Sequence, residues 1–190
     1  MKAGARALGV AESFAGRDDE DGESVLAGAL VRPDRVVDGF GFATCTVGGT
    51  DATAEVASLF DRLDREDVRC VLVAGVAPAW FNVLDLASLA EAVERPVLSV
   101  SFEDSEGLEP AIREHFDGAE RERRLTTYRD LPPRREVALD GDRVFVRAVG
   151  VDADTARETV RALTPEGGRP EPLRVARQAA RAVRRFRATE

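Results

Sequence analysis

Apolar residues fall along this chain in two rhythms, and the change from one to the other marks out its elements. Val68 to Ala74 (VRCVLVA) is apolar but for Arg69. A run of that length between charges reads as a strand buried on both faces, as in the middle of a parallel sheet. Past Gly75, Pro78, Trp80-Phe81, Asn82 and Asp85 the period becomes helical, with Leu86, Leu89, Ala90 and Val93 on one face. Open α/β sheets place their ligands beyond the carboxyl ends of such strands, so this loop is the expected site.

The same reading extends outward. Ala5–Val10, Ser24–Val31 and Arg35–Val47 read as three successive strands, turned at Gly16–Gly22 and at Pro33-Asp34, forming an antiparallel meander. Gly39 and Gly41 suggest a bulge or a close backbone approach in the third. Gly48 to Asp51 ends the meander. Val56, Leu59, Phe60 and Leu63 follow at helical spacing, with Thr50 or Asp51 as N-cap. Beyond the central unit come a strand over Pro96–Ser101 and a helix marked by Leu108, Ile112 and Phe116. The charge run Glu120–Arg124 reads as a solvated face. Asp140-Gly141, between Glu136–Leu139 and Arg143–Val149, signals a hairpin. A helix over Thr155–Leu163 stops at Gly167-Gly168, and Pro170 and Pro172 stiffen the connector. The last helix, Leu173–Arg187, sets Leu173, Ala176, Ala180 and Val183 on one stripe and Arg174, Arg177, Arg181 and Arg184 on the opposite one. Three strands, helix, strand, helix, strand, helix is the element order of the α/β ribonuclease H-like fold. Residues 1–168 are expected to form that domain, with 169–190 a basic helix packed on it or extending from it.

Charge changes the picture in one place. Of 27 basic residues only Lys2 is a lysine, against 35 acids and a net charge of −8. An acidic, lysine-poor surface fits salt adaptation, or a coding bias toward arginine. High salt weakens phosphate-driven binding, so an acidic chain speaks only weakly against a nucleic-acid partner. Arg169 to Arg187 holds seven arginines and one acid, a net of +6, which leaves −14 for the remainder. That segment reads either as a phosphate contact or as a helix docking on its own acidic body or a partner subunit. No membrane span is expected, and Met1–Val10 lacks the apolar core of a signal peptide, so a cytoplasmic protein is expected. Cys45 and Cys70 read as small buried hydrophobes, because His115 alone cannot complete a zinc site.

Familiar chemistries find little support. Gly48-Gly49 before a helix could cradle a phosphate, but there is no Walker lysine and no nucleophile triad. The carboxylates of Gly16–Gly22 (GRDDEDG) read as a solvated turn and fit a calcium loop poorly. Asp85 reads as N-cap of the helix that follows, with Leu84 and Leu89 as a staple. Trp80 and Phe81 either stack a base or anchor the loop. Asn82 binds either a nucleobase edge or the loop backbone.

Leu8-Gly9-Val10-Ala11-Glu12, Gly49-Thr50-Asp51-Ala52-Thr53, Gly75 to Asp85 (GVAPAWFNVLD) and Glu171-Pro172-Leu173-Arg174-Val175-Ala176 together resemble the archaeal domain-of-unknown-function 99 family, which is related to endonuclease V. The resemblance runs nearly end to end. It implies a ribonuclease H-like core whose carboxylates hold Mg²⁺ or Mn²⁺ for phosphodiester hydrolysis of DNA or RNA. The family's first strand typically ends Gly-Ile-Asp-Asp, where this chain has Ala11 and Glu12. The aspartate that follows the central strand of endonuclease V is replaced by Gly75. Glu12, Asp51 and Asp85 are left as catalytic and metal-binding candidates, with Glu55 one turn from Asp51. Trp80, Phe81, Asn82, Arg174, Arg177 and Arg181 are the candidate nucleic-acid contacts. The expectation is a nucleic-acid-binding protein with weak or lost hydrolysis; the alternative is a non-catalytic scaffold with a protein partner or a second copy of itself.

Overall fold

Seven strands form one mixed sheet in the order β3-β2-β1-β4-β5-β7-β6. The computed structural model describes residues 5–14 and 22–189. β1 (Arg6–Glu12), β2 (Glu23–Val31) and β3 (Val37–Thr46) are the antiparallel meander. The register slips at Leu30/Val31, leaving Asp38 unpaired beside Gly39, where a bulge was expected. The acidic turn expected over 16–22 lies, but for Gly22, outside the described residues.

After α1 (Ala52–Leu63), β4 (Val68–Ala74) returns parallel to β1, and β5 (Val97–Ser101) parallel to β4. Between them lie the single turn α2 (Pro78–Phe81) and the helix α3 (Leu86–Val93). Two helices, α4 (Glu109–His115) and α5 (Gly118–Arg129), precede the hairpin β6 (Arg135–Leu139) and β7 (Asp142–Val149). The hairpin turns at Asp140-Gly141 and joins β5 antiparallel. The Glu120–Arg124 run, expected as a solvated face, is instead the first half of α5 and holds a buried arginine. α6 (Ala153–Ala162) and α7 (Glu171–Arg187) complete the chain.

Strand alternation divides the core. Leu8 and Val10 join Leu26, Val71 and Val73 against α1 and α3. Ala7, Cys70, Leu72 and Leu98 face the other way, toward α6 and the start of α7. Under α7 the sheet is floored by Ala11, Ala27 and Ala29, which meet Ala176 and Ala180. Small residues on both sides bring the helix close to the sheet. At Gly9 the approach leaves no room for a side chain, since a Cβ there would lie 2.6 Å from Pro172 Cβ. That contact links two of the stretches that carry the family resemblance. No helix among the described residues is long and apolar enough to cross a membrane.

Candidate functional site

The segment after β4 is held in a rare backbone state. Ala79, Trp80 and Phe81 have φ of 46°, 60° and 56°. α2 is therefore one turn of left-handed helix, closed by Asn82 N donating to Pro78 O at 3.0 Å. This conformation costs a non-glycine residue about 1–2 kcal/mol, so its neighbours must hold it. Asn82 is fully buried. Its Oδ1 accepts from Ala52 N at 3.0 Å, and its Nδ2 donates to Thr46 O at 3.0 Å and Asp51 Oδ1 at 2.5 Å. Arg124 of α5, 2% exposed, donates to the carbonyls of Phe81 at 3.1 Å, of Gly48, and of Gly49 at 3.3 Å. It also pairs with Glu120 at 2.5 Å and lies 3.9 Å above the Phe116 ring. Trp80 packs on Phe81 and His115, with centroids 5.2 and 4.8 Å apart. Both rings of the Trp80-Phe81 pair are half-buried.

The candidate acids are engaged locally. Asp51 accepts from Thr46 N at 3.1 Å, Thr46 Oγ1 at 2.7 Å and Asn82. Burial acts to raise its pKa, but hydrogen bonds from the Thr46 hydroxyl and the Asn82 amide prevail and hold it below the usual carboxylate value. Asp85 caps α3. Its Oδ1 accepts from Ala87 N and Ser88 N, both at 3.0 Å, and the bond from Ser88 N is the main cause of its lowered pKa. Glu12, half-buried at the end of β1, accepts from Ser24 Oγ at 2.7 Å. Burial pushes the Cys45 thiol up to about 12, aided by the charges of Asp51, Glu12, Glu55 and Glu23. Among the described residues no three Asp, Glu, His or Cys side chains converge to hold a metal. Two-metal hydrolysis needs carboxylates gathered around ions about 4 Å apart. Glu12, Asp51 and Asp85 as placed do not fit Mg²⁺ or Mn²⁺ in that role. Asp18, Asp19, Glu20 and Asp21 lie outside the described residues.

On the α7 side the rim of the sheet is basic. A cavity of about 320 Å³ is lined by Ala11 to Phe14, Ala74 and the side chains of Arg177, Arg181 and Arg184. A second, of about 440 Å³, crosses the carboxyl ends of β4 and β5, with Arg134, Arg147, Arg169 and Arg177 in its walls. Ala74 and Arg177 belong to both, which makes them one groove. Gly75 (φ 79°) turns the chain out of β4 at its floor. None of the six arginines forms an ion pair among the described residues. Arg169 lies 3.9 Å above Phe102, and burial, then the charges of Arg177 and Arg181, lower its pKa. Ser13, 6% exposed beside this groove, has a hydroxyl with no partner among the described residues. Leaving such a group unsatisfied costs about 1–3 kcal/mol.

The expected residues therefore part company. Glu12, Arg177 and Arg181 line the groove, while Asp51, Trp80, Phe81 and Asn82 build the loop beside it. Asp85 turns to α3, and Arg174 turns out of the groove to clamp Glu171 at 2.7 and 2.5 Å. Asn82 is fully buried and binds backbone, the second of the two partners its sequence context offered, together with Asp51. Ser13, Arg124, Arg134, Arg147 and Arg169 were not singled out by sequence. Arg147 carried a signal, since it interrupts the apolar run of β7 (VFVRAV).

The sequence model of a family described as endonuclease dU matches residues 3–184. A UPF0215 protein of Pyrobaculum aerophilum is 35% identical over 181 residues, covering 94% of this chain and 94% of its own. The crystal structure of an Archaeoglobus fulgidus protein of unknown function superposes with a TM-score of 0.81 at 24% identity, over 94% of this chain and 98% of that one. Ciona intestinalis endonuclease V, solved with a 24-mer DNA containing an inosine followed by a ribo-adenosine, gives 0.64 at 12% identity, over 98% of this chain and 87% of that one.

Proposed function

This chain belongs to the endonuclease dU family, and from that premise we propose that it holds a nucleic-acid strand along the arginine groove by charge alone. The observation that carries this reading is the set of six arginines at one sheet rim that form no ion pair among the described residues, in a chain whose net charge is −8. Arg177, Arg181 and Arg184 share a face of α7, Arg177 and Arg181 being about 6 Å apart along the axis at 1.5 Å per residue. Phosphates along a strand meet that ladder. The endonuclease V fold, seen elsewhere with DNA bound, supports nucleic acid as the ligand. No hydrolytic step is assigned, because Glu12, Asp51 and Asp85 as placed do not fit the metal that it needs.

Titrating the protein with single-stranded RNA and DNA at several salt concentrations tests this. Replacing Arg177, Arg181 and Arg184 together by glutamine is expected to flatten the logarithmic salt slope by about 2, from about 0.7 per phosphate contact. Chelating divalent metal is expected to leave the affinity unchanged. An affinity indifferent to the three substitutions defeats the reading. With Mg²⁺ or Mn²⁺ and inosine-containing RNA or DNA, wild type, Glu12→Gln and Asp85→Asn are expected to show the same background. Cleavage lost in either variant would restore the metal enzyme.

A further inference from the structure

The two halves of the groove are built differently, and the larger one resembles a receptor. In its walls Arg134 donates to Ser105 O at 2.9 Å and lies 3.9 Å above Phe145. Arg147 donates to Pro132 O and, at 3.3 Å, to the Tyr128 hydroxyl. Arg169 stacks on Phe102. Carbonyls and rings fix these guanidinium groups in place, and among the described residues no carboxylate forms an ion pair with them. Tyr128 Oη also accepts from Leu108 N at 3.2 Å. With both lone pairs engaged, its O–H remains to donate. Four arginines and one acid, Glu103, face about 440 Å³, the size of a small-molecule site rather than of a duplex channel.

A phosphodiester brings one negative charge to such a site. A phosphomonoester brings nearly two, with three strong acceptor oxygens. We propose that this pocket receives the phosphorylated end of a nucleic-acid strand whose following phosphates lie along Arg177, Arg181 and Arg184. The proposal rests on the groove reading above and adds that a strand terminus, not an interior segment, is what the protein selects.

Binding of one single-stranded oligonucleotide carrying 5′-phosphate, 3′-phosphate or only hydroxyl ends, to the full chain at fixed salt, tests it. One of the phosphorylated forms is expected to bind about tenfold more tightly than the hydroxyl form, the worth of one added charge-assisted contact. Arg134→Gln or Arg147→Gln is expected to bring that ratio close to one, while Arg181→Gln weakens all three forms and keeps it. The wild-type comparison needs no variant, so a misfolded substitution leaves the test intact. Equal binding of all three forms overturns the terminus proposal and leaves the groove standing. No binding of any form overturns both. A nucleoside monophosphate that competes as well as the phosphorylated strand would make the free nucleotide the ligand and overturn the strand end.

Discussion

The two sides of the rim treat polar groups in opposite ways. Around Trp80 the backbone is strained, yet Asn82 and Arg124 satisfy the carbonyls and amides that hold it. Along α7 the backbone is ordinary helix, but six guanidinium groups lack ion pairs and one buried hydroxyl lacks any partner among the described residues. Asp51 and Asp85 serve structure on the first side, while Glu12 lines the second. On the second side the chemistry that remains is cationic. Closed networks specify a shape; open ones wait for a ligand.

Substitutions should separate the sides. Arg124→Ala strands the carbonyls of Phe81, Gly48 and Gly49 and is expected to cost about 3–5 kcal/mol, as when one partner of a buried charge network is removed. Asn82→Ala leaves Ala52 N unpaired and takes from Thr46 O one of its two bonds, the other coming from Gly49 N, for about 1–3 kcal/mol. Denaturant unfolding measures both, and Trp80, the chain's one tryptophan, reports on the loop itself. The triple substitution on α7 should leave unfolding free energy unchanged or slightly raised, because it removes mutual repulsion from a surface that buries no partner. A large loss of stability there would erase the contrast.

The smallest expected effect is acid sensitivity. Asp51 and Asp85 both have folded pKa values below their ordinary ones. Through the acid range the unfolded chain therefore binds more protons. The stability they contribute is complete above about pH 3.9, the unfolded value for aspartate. It disappears as pH falls through the folded values. Asp51→Asn with Asp85→Asn should flatten that acid limb in Trp80 emission, and an unchanged limb would show that other carboxylates govern it.

Much of the fold was legible because it rests on periodicity. Val68–Ala74 coincides with β4, the meander and the Asp140-Gly141 hairpin are in place, and Ala176 and Ala180 face the sheet. The site was less legible, and the reason is physical. Arg124 sits in a charge run that looks solvated, and only the packing of Phe81, Phe116 and Gly48 around it makes it a core residue. The groove gathers arginines from β7, α7 and two connectors, so no window of sequence contains it. The strain at Ala79–Phe81 is invisible too, since alanine, tryptophan and phenylalanine carry no left-handed preference.

The tight seat of Pro172 on Gly9 sets an order of events during synthesis. Until residues 169–187 have been made and laid against β1, residues 1–168 are an acidic body of net charge −13 with only Arg134 and Arg147 of the groove in place. Such a body repels polyanions. On the proposed reading, translation of the helix is therefore the step that supplies four of the six arginines of the groove and reverses the charge of that rim.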